Sequence, residues 1–336
     1  MSDTIVIYRL GSLGDTVVAL PCFHAIRRAF PNHKRVVLTN FPVSSKAAPL
    51  EVVLGDGGFV DQAIAYPVGT RNFGKLFSLA RQLRALKADT LVYMVGGRGL
   101  KSVQRDLLYF RLCGFKTIIG APQTVDDDVG RTDSSGVQEP EAERLARCMA
   151  DLGPIDLLDG EFWDLKLNAQ EYARAREALQ PLGGGGFIGV NMGGKDPSKD
   201  WGEDHWVALF QALAPDLADY GVVFVGAGDD VAQAQRLSSY WQGPTLNCCG
   251  ELTPRESGAV LSTAALFVGH DSGPMHLAAA MGATCVALFG SLNRPRKWHP
   301  YGESHVVLHD TAGVRGIAVA DVRDAVLGAL AARTAA

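Results

Sequence analysis

Gly269-His270-Asp271-Ser272-Gly273-Pro274-Met275-His276-Leu277-Ala278-Ala279-Ala280-Met281-Gly282 is a polar turn that leads into a helix of small residues. The run before it, 264–268, is short and apolar, as in a buried parallel strand. Pro274 suits the first helical position, so the helix is expected to open at Ser272 to Pro274. Amide groups at a helix start bind anions, because no carbonyl of the helix accepts from them. The stretch predicts a diphosphate site; the alternative is an ordinary turn in which Asp271 or Ser272 is only an N-cap.

The composition is that of a glycine-rich α/β protein. The chain has 336 residues, enough for two domains, with 47% hydrophobic residues, 20% charged residues and 38 glycines. A net charge of −4 argues against a nucleic-acid partner. The six cysteines form no C-x-x-C pair and lie mostly in apolar segments, which favours reduced core thiols over disulfides or a zinc site.

The sequence gives no sign of export or of a membrane span. The first residues run into a strand without the basic and apolar regions of a signal peptide, and no apolar run approaches about 18 residues. We therefore expect a cytoplasmic protein, and peripheral contact with the cytoplasmic face of the inner membrane stays open.

Short strands alternate with longer helical patterns along the whole chain, which predicts parallel sheets covered by helices. Four successive glycines end the segment 181–186, so we place a hinge there between domains 1–180 and 187–336. Doubly wound folds bind ligands at the carboxyl ends of their strands, so the cleft between the domains is the expected site. The predicted strands are 4–9, 34–39, 62–66, 89–95, 117–120, 187–191, 221–225, 245–247, 265–268, 284–288 and 305–308. The predicted helices are 15–30, 72–87, 100–113, 140–152, 203–218, 229–241, 254–263, 273–282 and 319–333.

The first strand is followed by Arg9-Leu10-Gly11-Ser12-Leu13-Gly14-Asp15. Its glycines allow another molecule to approach the backbone, and Asp15 is expected at the mouth of the cleft. The G-x-G-x-x-G spacing is absent, which disfavours a dehydrogenase. The alternative for Asp15 is a cap or first-turn carboxylate of the helix 15–30.

The corresponding turn of the second domain, 191–201, is also glycine-rich and carries Lys195 and Lys199. It is not a Walker A motif, although a lysine on such a loop can neutralise a phosphate. The alternative is a solvated surface lysine. Elsewhere, Asp126-Asp127-Asp128 could hold a cation, but a solvated loop is the preferred interpretation, and no metal site is predicted from it.

Several motifs recur in an order typical of one enzyme family: Arg9 to Asp15 with Leu20-Pro21, Lys199-Asp200-Trp201 with His205-Trp206, Val225 to Asp229, Asp271 to Ala280, Leu288-Phe289-Gly290 and Trp298 to Gly302. Together they resemble glycosyltransferase family 9, the ADP-heptose:lipopolysaccharide heptosyltransferases, from about residue 4 to residue 303. The resemblance implies an α/β fold with two Rossmann-like domains in the GT-B arrangement, their parallel sheets facing across a cleft. It assigns the acceptor to the N-terminal domain and the nucleotide sugar to the C-terminal domain, and it allows the last helix to pack back on the N-terminal domain.

By the family's pattern, Asp15 is the general base and Lys199 holds the diphosphate together with the Ser272 and Gly273 amides. Asp229 is the choice for the ribose-binding acid, with the register open by one residue. A structural role is the alternative for His276, and Lys195 matches the pattern less well than Lys199. The resemblance thus implies Asp15 and Lys199 as catalytic residues and the following donor-binding set: Asn191, Gly193, Gly194, Lys199, Asp229, Asp271, Ser272, Gly273, Pro274 and His276.

The acceptor is expected on the first domain, near Gly11 and Ser12. Arg98, Lys101 and Arg105, with Arg131, could pair with phosphate or carboxylate groups of a lipopolysaccharide core. A solvated helix face, with Lys101 and Arg105 at i and i+4, is the alternative. The segment 93–96 departs from the acidic run more usual in the family, which leaves the acceptor and the exact sugar open.

The resulting hypothesis is an inverting, metal-independent glycosyltransferase that moves heptose from ADP-heptose to a lipopolysaccharide core or related glycan. No cofactor is expected beyond the nucleotide-sugar co-substrate. Two alternatives stay open: a nucleotide-sugar hydrolase or epimerase, and a non-catalytic nucleotide-binding protein. The oligomeric state is left open.

Overall fold

The computed structural model describes residues 3–41, 48–70, 72–194 and 196–335, so Lys195 lies outside the described residues. The contacts divide the chain into two compact units, of which the first runs to Lys166 and the second begins at Leu167. This boundary precedes the glycine-rich segment 181–186 that the sequence favours as a hinge. The intervening helix, 169–179, packs on helix 254–261 of the second unit.

The first unit contains a five-stranded parallel sheet in the order β3-β2-β1-β4-β5. Its core is built from the apolar residues of β1, β2 and β4 and from the inner faces of the helices that cover the sheet. The strands are β1 (Thr4–Tyr8), β2 (Lys34–Thr39), β3 (Gln62–Ala65), β4 (Thr90–Tyr93) and β5 (Thr117–Ile119), and the α-helices are α1 (Leu13–Val18), α2 (Leu20–Ala29), α3 (Leu50–Leu54), α4 (Phe73–Ala85), α5 (Leu100–Leu112), α6 (Val125–Val129) and α7 (Glu141–Cys148).

The second unit contains a six-stranded parallel sheet in the order β11-β10-β9-β6-β7-β8. Trp201 and Trp206 are completely buried in its core, beside the central strands. The strands are β6 (Phe187–Asn191), β7 (Gly221–Phe224), β8 (Thr245–Asn247), β9 (Leu266–His270), β10 (Cys285–Phe289) and β11 (Val306–His309), and the α-helices are α8 (Ala169–Leu179), α9 (Glu203–Leu213), α10 (Val231–Ser238), α11 (Pro254–Leu261), α12 (Gly273–Ala280) and α13 (Val319–Ala335). The predicted pair of Rossmann-like α/β units is confirmed.

Several segments of the first unit differ from the expected elements, and the short helix α3 was not predicted from the sequence. The single helix predicted over 15–30 is broken at Ala19 into α1 and α2, because Pro21 lacks the amide hydrogen that would continue the first helix and instead stands in the first turn of the second. The aspartate run, expected as a loop, forms the short helix α6, which Thr124 and Asp127 cap reciprocally. Among the described residues no cluster of three or more metal-ligating side chains occurs.

The last helix, α13, packs on the second unit, whereas the family's pattern allowed it to pack back on the first. Val322, Val326 and Leu330 enter the core beside β9, β10 and α9. Arg333 donates to the carbonyl oxygens of Ala264 and Ala265, at 2.8 and 2.9 Å. Apolar burial and a cationic side chain near the helix end thus attach α13 to the sheet that precedes it. No helix in the described ranges is long and apolar enough to cross a membrane.

The ion pair between α8 and α11 gives a stability prediction. Arg255 is buried, and its Nε lies 2.5 Å from Glu171 Oε1. Replacing Glu171 by alanine removes the carboxylate that accepts two hydrogen bonds from this buried guanidinium, so we expect a loss of about 2 kcal/mol in the free energy of unfolding. Urea unfolding measures it, with Glu177→Ala, an exposed carboxylate of the same helix, as the control. Equal stability of the Glu171 and Glu177 variants would show that the ion pair does not stabilise the packing of α8 on α11.

Candidate functional site

The segments that carry Asp15, Lys199 and Asp271 lie where the strand order of each sheet reverses. In the first unit the reversal falls between β1 and β4, and in the second between β6 and β9. At such a point the loops after the two strands diverge and leave a crevice at the carboxyl ends, which is where doubly wound sheets bind ligands. We call the residues after β6 and β9 the second-unit site, and those after β1 and β4 the first-unit site.

Lys199 and Asp271 form the charged centre of the second-unit site. The ammonium Nζ of Lys199 lies 2.5 Å from Asp271 Oδ2 and donates to the backbone oxygen of Asp271 at 3.3 Å. The same carboxylate oxygen accepts a hydrogen bond from the amide of Asn293. The lysine is therefore only partly exposed, and its ion pair with Asp271 holds it beside the start of α12.

The first turn of α12 has no side-chain cap in the described structure. Ser272 is the N-cap residue by position, but its hydroxyl donates instead to Asn191 Oδ1 at 2.9 Å. Gly273 and Pro274 form the first helical positions, as expected. Because Asp271 is engaged by Lys199 and Asn293, neither residue of the turn acts as the ordinary N-cap of the alternative interpretation. The amides of this turn remain suited to an anion.

Asn191 connects the ends of three segments and does not point outward. Its amide donates to the carbonyl of Val225 at 2.8 Å while its oxygen accepts from Ser272, and the side chain is buried. Asn191 was predicted to bind the donor. In the structure its side chain links the end of β7 to Ser272 and so holds the Ser272 turn in place. Packing explains the glycine at position 193, since a side chain there would collide with Asp230. Gly194 is exposed.

The carboxylates after β7 have different surroundings. Asp230 is buried, and its Oδ2 accepts from the Ala227 amide at 2.9 Å. Gly226 also packs on this carboxylate, since an added Cβ would come within 2.6 Å of Oδ2. Asp229 is exposed at the start of the next helix. Of the two registers, Asp229 is the one whose side chain faces solvent, and the ribose assignment stays with it as a prediction.

The loop that carries Lys199 is anchored by Trp201. The backbone amide of Trp201 donates to His270 Nε2 at 3.2 Å, and its indole donates to the Ile317 carbonyl at 2.9 Å. Asp200 accepts from the Gly202 amide at 2.9 Å and fixes the turn between them. The Lys-Asp-Trp motif thus supplies a cation, a turn and an anchor in three successive residues.

Two residues near Asp271 were not singled out by the sequence. Asn293 follows β10, the strand beside β9, so its proximity follows from the rule that neighbouring parallel strands end at one edge. His270 is the last residue of β9, completely buried against Trp206, with ring centroids 5.5 Å apart. His276, by contrast, was predicted to bind the donor or to be structural. It is buried against Trp298, with ring centroids 6.2 Å apart, as a structural histidine would be.

Acid is expected to destabilise the chain through His270. Burial lowers the pKa of His270 to about 4, with Asp200 opposing the shift and Lys199 adding to it. In the unfolded chain the imidazole titrates near 6.5, so the stability from neutral His270 is complete above that pH and is lost as the pH falls toward 4. Between pH 7.5 and pH 5 the wild type should lose about 2 kcal/mol more than His270→Gln, which takes up no proton. Urea unfolding at both pH values measures the difference, and equal losses would contradict it.

In the first-unit site, Asp15 is held by the turn that precedes it. Its Oδ2 accepts from the amide and the hydroxyl of Ser12, at 2.9 and 3.3 Å, while Oδ1 accepts nothing from the residues that the structure describes. Gly11 has φ of +139°, and a side chain there would meet the Asp15 side chain at 2.3 Å. Asp15 is therefore a first-turn carboxylate, as the alternative proposed, with one oxygen still outside the cap.

Arg9 fastens this turn to the neighbouring strand. Its buried guanidinium donates to the carbonyl of Met94, after β4, at 2.7 Å and also to the carbonyl of Asp15. The turn that carries Asp15 is thereby attached to the end of β4, across the point where the strand order reverses.

Arg98 was predicted to contact the acceptor, but its side chain is engaged inside the first unit. Its Nε lies 3.0 Å from the buried Asp106 carboxylate, and it donates to the Tyr8 hydroxyl at 3.1 Å. Tyr8 and Asp106 raise the pKa of Arg98 against the lowering effect of burial. Lys101 and Arg105, in contrast, are exposed on the outer surface of α5, as the solvated-face alternative expects, and Arg131 is also exposed.

Comparison with known sequences identifies one family. The family model described as glycosyltransferase family 9 (heptosyltransferase) matches residues 132–314. Lipopolysaccharide heptosyltransferase 3 of Escherichia coli is 28% identical over 139 residues, which is 40% of this chain and 40% of that protein. The chain therefore aligns with less than half the length of this curated relative.

Comparison with solved structures extends over nearly the whole chain. A family 9 glycosyltransferase from Veillonella parvula has a TM-score of 0.72 at 19% identity, covering 98% of both chains. The E. coli ADP-heptose lipopolysaccharide heptosyltransferase II has a TM-score of 0.70 at 19% identity, covering 98% of this chain and 99% of the other. At these identities the likeness concerns the fold, and it confirms the predicted GT-B fold class.

Proposed function

We propose that this chain, which belongs to glycosyltransferase family 9, is an inverting glycosyltransferase that moves a sugar from a nucleoside-diphosphate donor to a glycan hydroxyl. The observation that carries the proposal is the convergence of Lys199, Asp271 and an uncapped helix start at the end of β9. An ammonium group and helix-start amides together suit the diphosphate of such a donor.

The second-unit site would stabilise the leaving group. When the bond between the anomeric carbon and the diphosphate oxygen breaks, its electron pair moves to the diphosphate. Amides of α12 and the Lys199 ammonium are already oriented, so they stabilise this charge without rearrangement. An ammonium has three N–H donors, of which Asp271 engages two in the described structure, leaving one for a phosphate oxygen. We therefore propose that no metal ion is needed.

The first-unit site would supply the base. An acceptor hydroxyl attacks the anomeric carbon on the face opposite the leaving diphosphate, and its proton passes to Asp15. Support comes from the engagement of Oδ2 by Ser12, which fixes the carboxylate while Oδ1 faces no donor among the described residues. Such a base contributes about 10²–10⁴ in rate. Proton transfer would come late, once an oxocarbenium-like centre has made the attacking hydroxyl more acidic.

For the substrates we propose ADP-heptose as the donor and a lipopolysaccharide core, or a related glycan, as the acceptor. The support is the description of the family as heptosyltransferases, the ADP-heptose enzyme among the solved relatives and the lipopolysaccharide enzyme among the curated ones. Asp229 is the proposed partner of the ribose hydroxyls. No cofactor beyond the nucleotide sugar is proposed.

A thermal-shift screen against ADP, UDP, GDP and their sugars tests the donor. The proposal expects the largest rise in melting temperature with ADP and ADP-heptose, because a ligand that binds only the native state stabilises it. A rise selective for UDP or GDP would exclude ADP-heptose as the donor.

A product assay tests the reaction class. With ADP-heptose and a truncated lipopolysaccharide, transfer increases the acceptor mass by one heptose and releases ADP in equal amount. Equal release of free sugar with and without acceptor would instead identify a hydrolase. Donor binding with no turnover, unaffected by Asp15→Ala, would identify a nucleotide-binding protein.

A further inference from the structure

Helices α4 and α5 lie side by side on one face of the first unit. The Tyr109 hydroxyl of α5 donates to the Leu76 carbonyl of α4 at 2.8 Å, and Arg84 of α4 donates to the Leu112 carbonyl of α5 at 2.6 Å. Their inner faces, with Leu79, Leu83 and Phe110, are buried in the core. We call the outer faces of these two adjoining helices the α4–α5 face.

Large apolar side chains are exposed on the α4–α5 face. Phe73 is 87% exposed and Phe77 62%, and the two stand one turn apart on α4. On α5, Leu108 and Leu112 are each 63% exposed and are also one turn apart. Residues four apart lie on the same side of a helix, so each helix presents an apolar pair to its outside. Single exposed apolar residues are common, but two such pairs on adjoining helices indicate an interaction surface.

The charges of the same surface have one sign. Both helices together carry six cations, all exposed, and one acid, Asp106, which is buried. Of the six, only Arg105 lies within 4 Å of a carboxylate in the described part of the chain, at 3.8 Å from Asp106. The whole chain has a net charge of −4, so this basic surface is a local feature. The six cations are Lys75, Arg81, Arg84, Lys101, Arg105 and Arg111.

We propose that the α4–α5 face docks on the surface of an anionic lipid bilayer. Exposed phenylalanine and leucine enter the boundary between headgroups and acyl chains, while lysine and arginine pair with headgroup phosphates. A second copy of the chain is a poor occupant, because two faces of like charge repel each other. The proposed association is peripheral, because it uses only the outer faces of two helices whose inner faces are buried in the core of the first unit.

The docking surface is independent of the proposed transfer reaction, since it uses the outside of α4 and α5 and no residue of the second-unit site. The sequence analysis included Lys101 and Arg105 among the acceptor-binding residues. The docking proposal assigns them instead to contact with lipid headgroups on the exposed side of α5. Electrostatic attraction to the bilayer is screened by salt, whereas apolar insertion is not. Both contributions are therefore separately measurable.

Co-sedimentation of the full chain with vesicles tests the proposal, without donor or acceptor present. Vesicles of 70% phosphatidylcholine and 30% phosphatidylglycerol should bind the chain at least about tenfold more tightly than phosphatidylcholine alone, with a marked loss in high salt. Arg81→Glu reverses one charge and should weaken binding about tenfold. The double variant Phe73→Ser with Phe77→Ser should bind the anionic vesicles more weakly than the wild type at every salt concentration, because apolar insertion is not screened by salt.

A control variant changes one exposed apolar residue and one exposed arginine outside the α4–α5 face. Leu158 is 81% exposed and Arg176 is exposed on α8, so Leu158→Ser with Arg176→Glu has the same chemistry outside the α4–α5 face. This control should bind vesicles as the wild type does, and melting temperatures establish that each variant is folded. Equal binding to neutral and anionic vesicles, or equal losses in the control and the α4–α5 variants, would overturn the proposal. Self-association in place of vesicle binding would assign the face to a second copy and would also overturn it.

Discussion

Replacing Lys199 by alanine is expected to lower kcat by about 10²–10³. The reason is the position of the ammonium beside the start of α12. The ion pair with Asp271 holds it there, with Lys199 Nζ 2.5 Å from Asp271 Oδ2. Negative charge develops on the diphosphate only as it leaves. A cation that binds this charge therefore stabilises the transition state more than it stabilises the bound donor. Its loss therefore lowers kcat and kcat/KM together, with a smaller change in donor KM. Initial rates of ADP release at varied donor and fixed acceptor concentration measure the two constants.

Lys166→Ala is the matched control for this experiment. Lys166 is likewise a partly exposed lysine in an ion pair, 2.7 Å from Asp164, but it lies at the end of the first unit. Its loss should leave both kinetic constants within about twofold of wild type, since surface ion pairs contribute little. If Lys199→Ala kept the wild-type kcat and raised only donor KM, the lysine would be a binding group without a role in bond breaking.

Replacing Asp15 by asparagine is expected to reduce transfer by about 10²–10⁴ while leaving donor binding unchanged. The amide oxygen of asparagine can still accept from the Ser12 amide, so the capped turn is preserved. What the variant loses is the ability to take the proton of the acceptor hydroxyl. Single-turnover transfer and thermal shift with ADP measure the two properties separately.

Asp127→Asn controls for the structural part of this substitution. Asp127 occupies the same third helical position in the capping box of α6 that Asp15 occupies in α1. Its replacement costs a cap and an ion pair with Arg147, so stability should fall modestly while transfer continues. Wild-type transfer rates in the Asp15 variant would remove the base assignment.

The sequence predicted the fold well where local and tertiary signals agree. Strand β9 and helix α12 were expected within a few residues, because a buried apolar run, a polar turn and a proline at the helix start all indicate the same boundary. The break at Ala19 was missed, since the helical pattern of residues 15–30 continues through Pro21 and only the missing amide hydrogen interrupts it.

The site was predictable as a set of segments but not as a set of contacts. Lys199 and Asp271 were both named, yet the ion pair between residues so distant along the chain follows only from the strand order of the folded sheet. Arg98 shows the converse. An arginine in a glycine-rich loop suggested a ligand contact, but Asp106, two turns into the next helix, is buried beside it and takes the charge. Pairing of this kind depends on burial, which a single sequence does not specify.

A crystal structure of the chain with bound ADP tests the central claim most directly, namely that the turn at 271–273 and Lys199 hold the donor diphosphate. We expect the diphosphate at the start of α12, with phosphate oxygens within about 3 Å of the Gly273 amide and of Lys199 Nζ. The adenosine should extend toward the loop of Asp229. A diphosphate bound elsewhere, with no phosphate oxygen in contact with Lys199 or with the turn at 271–273, would contradict this claim.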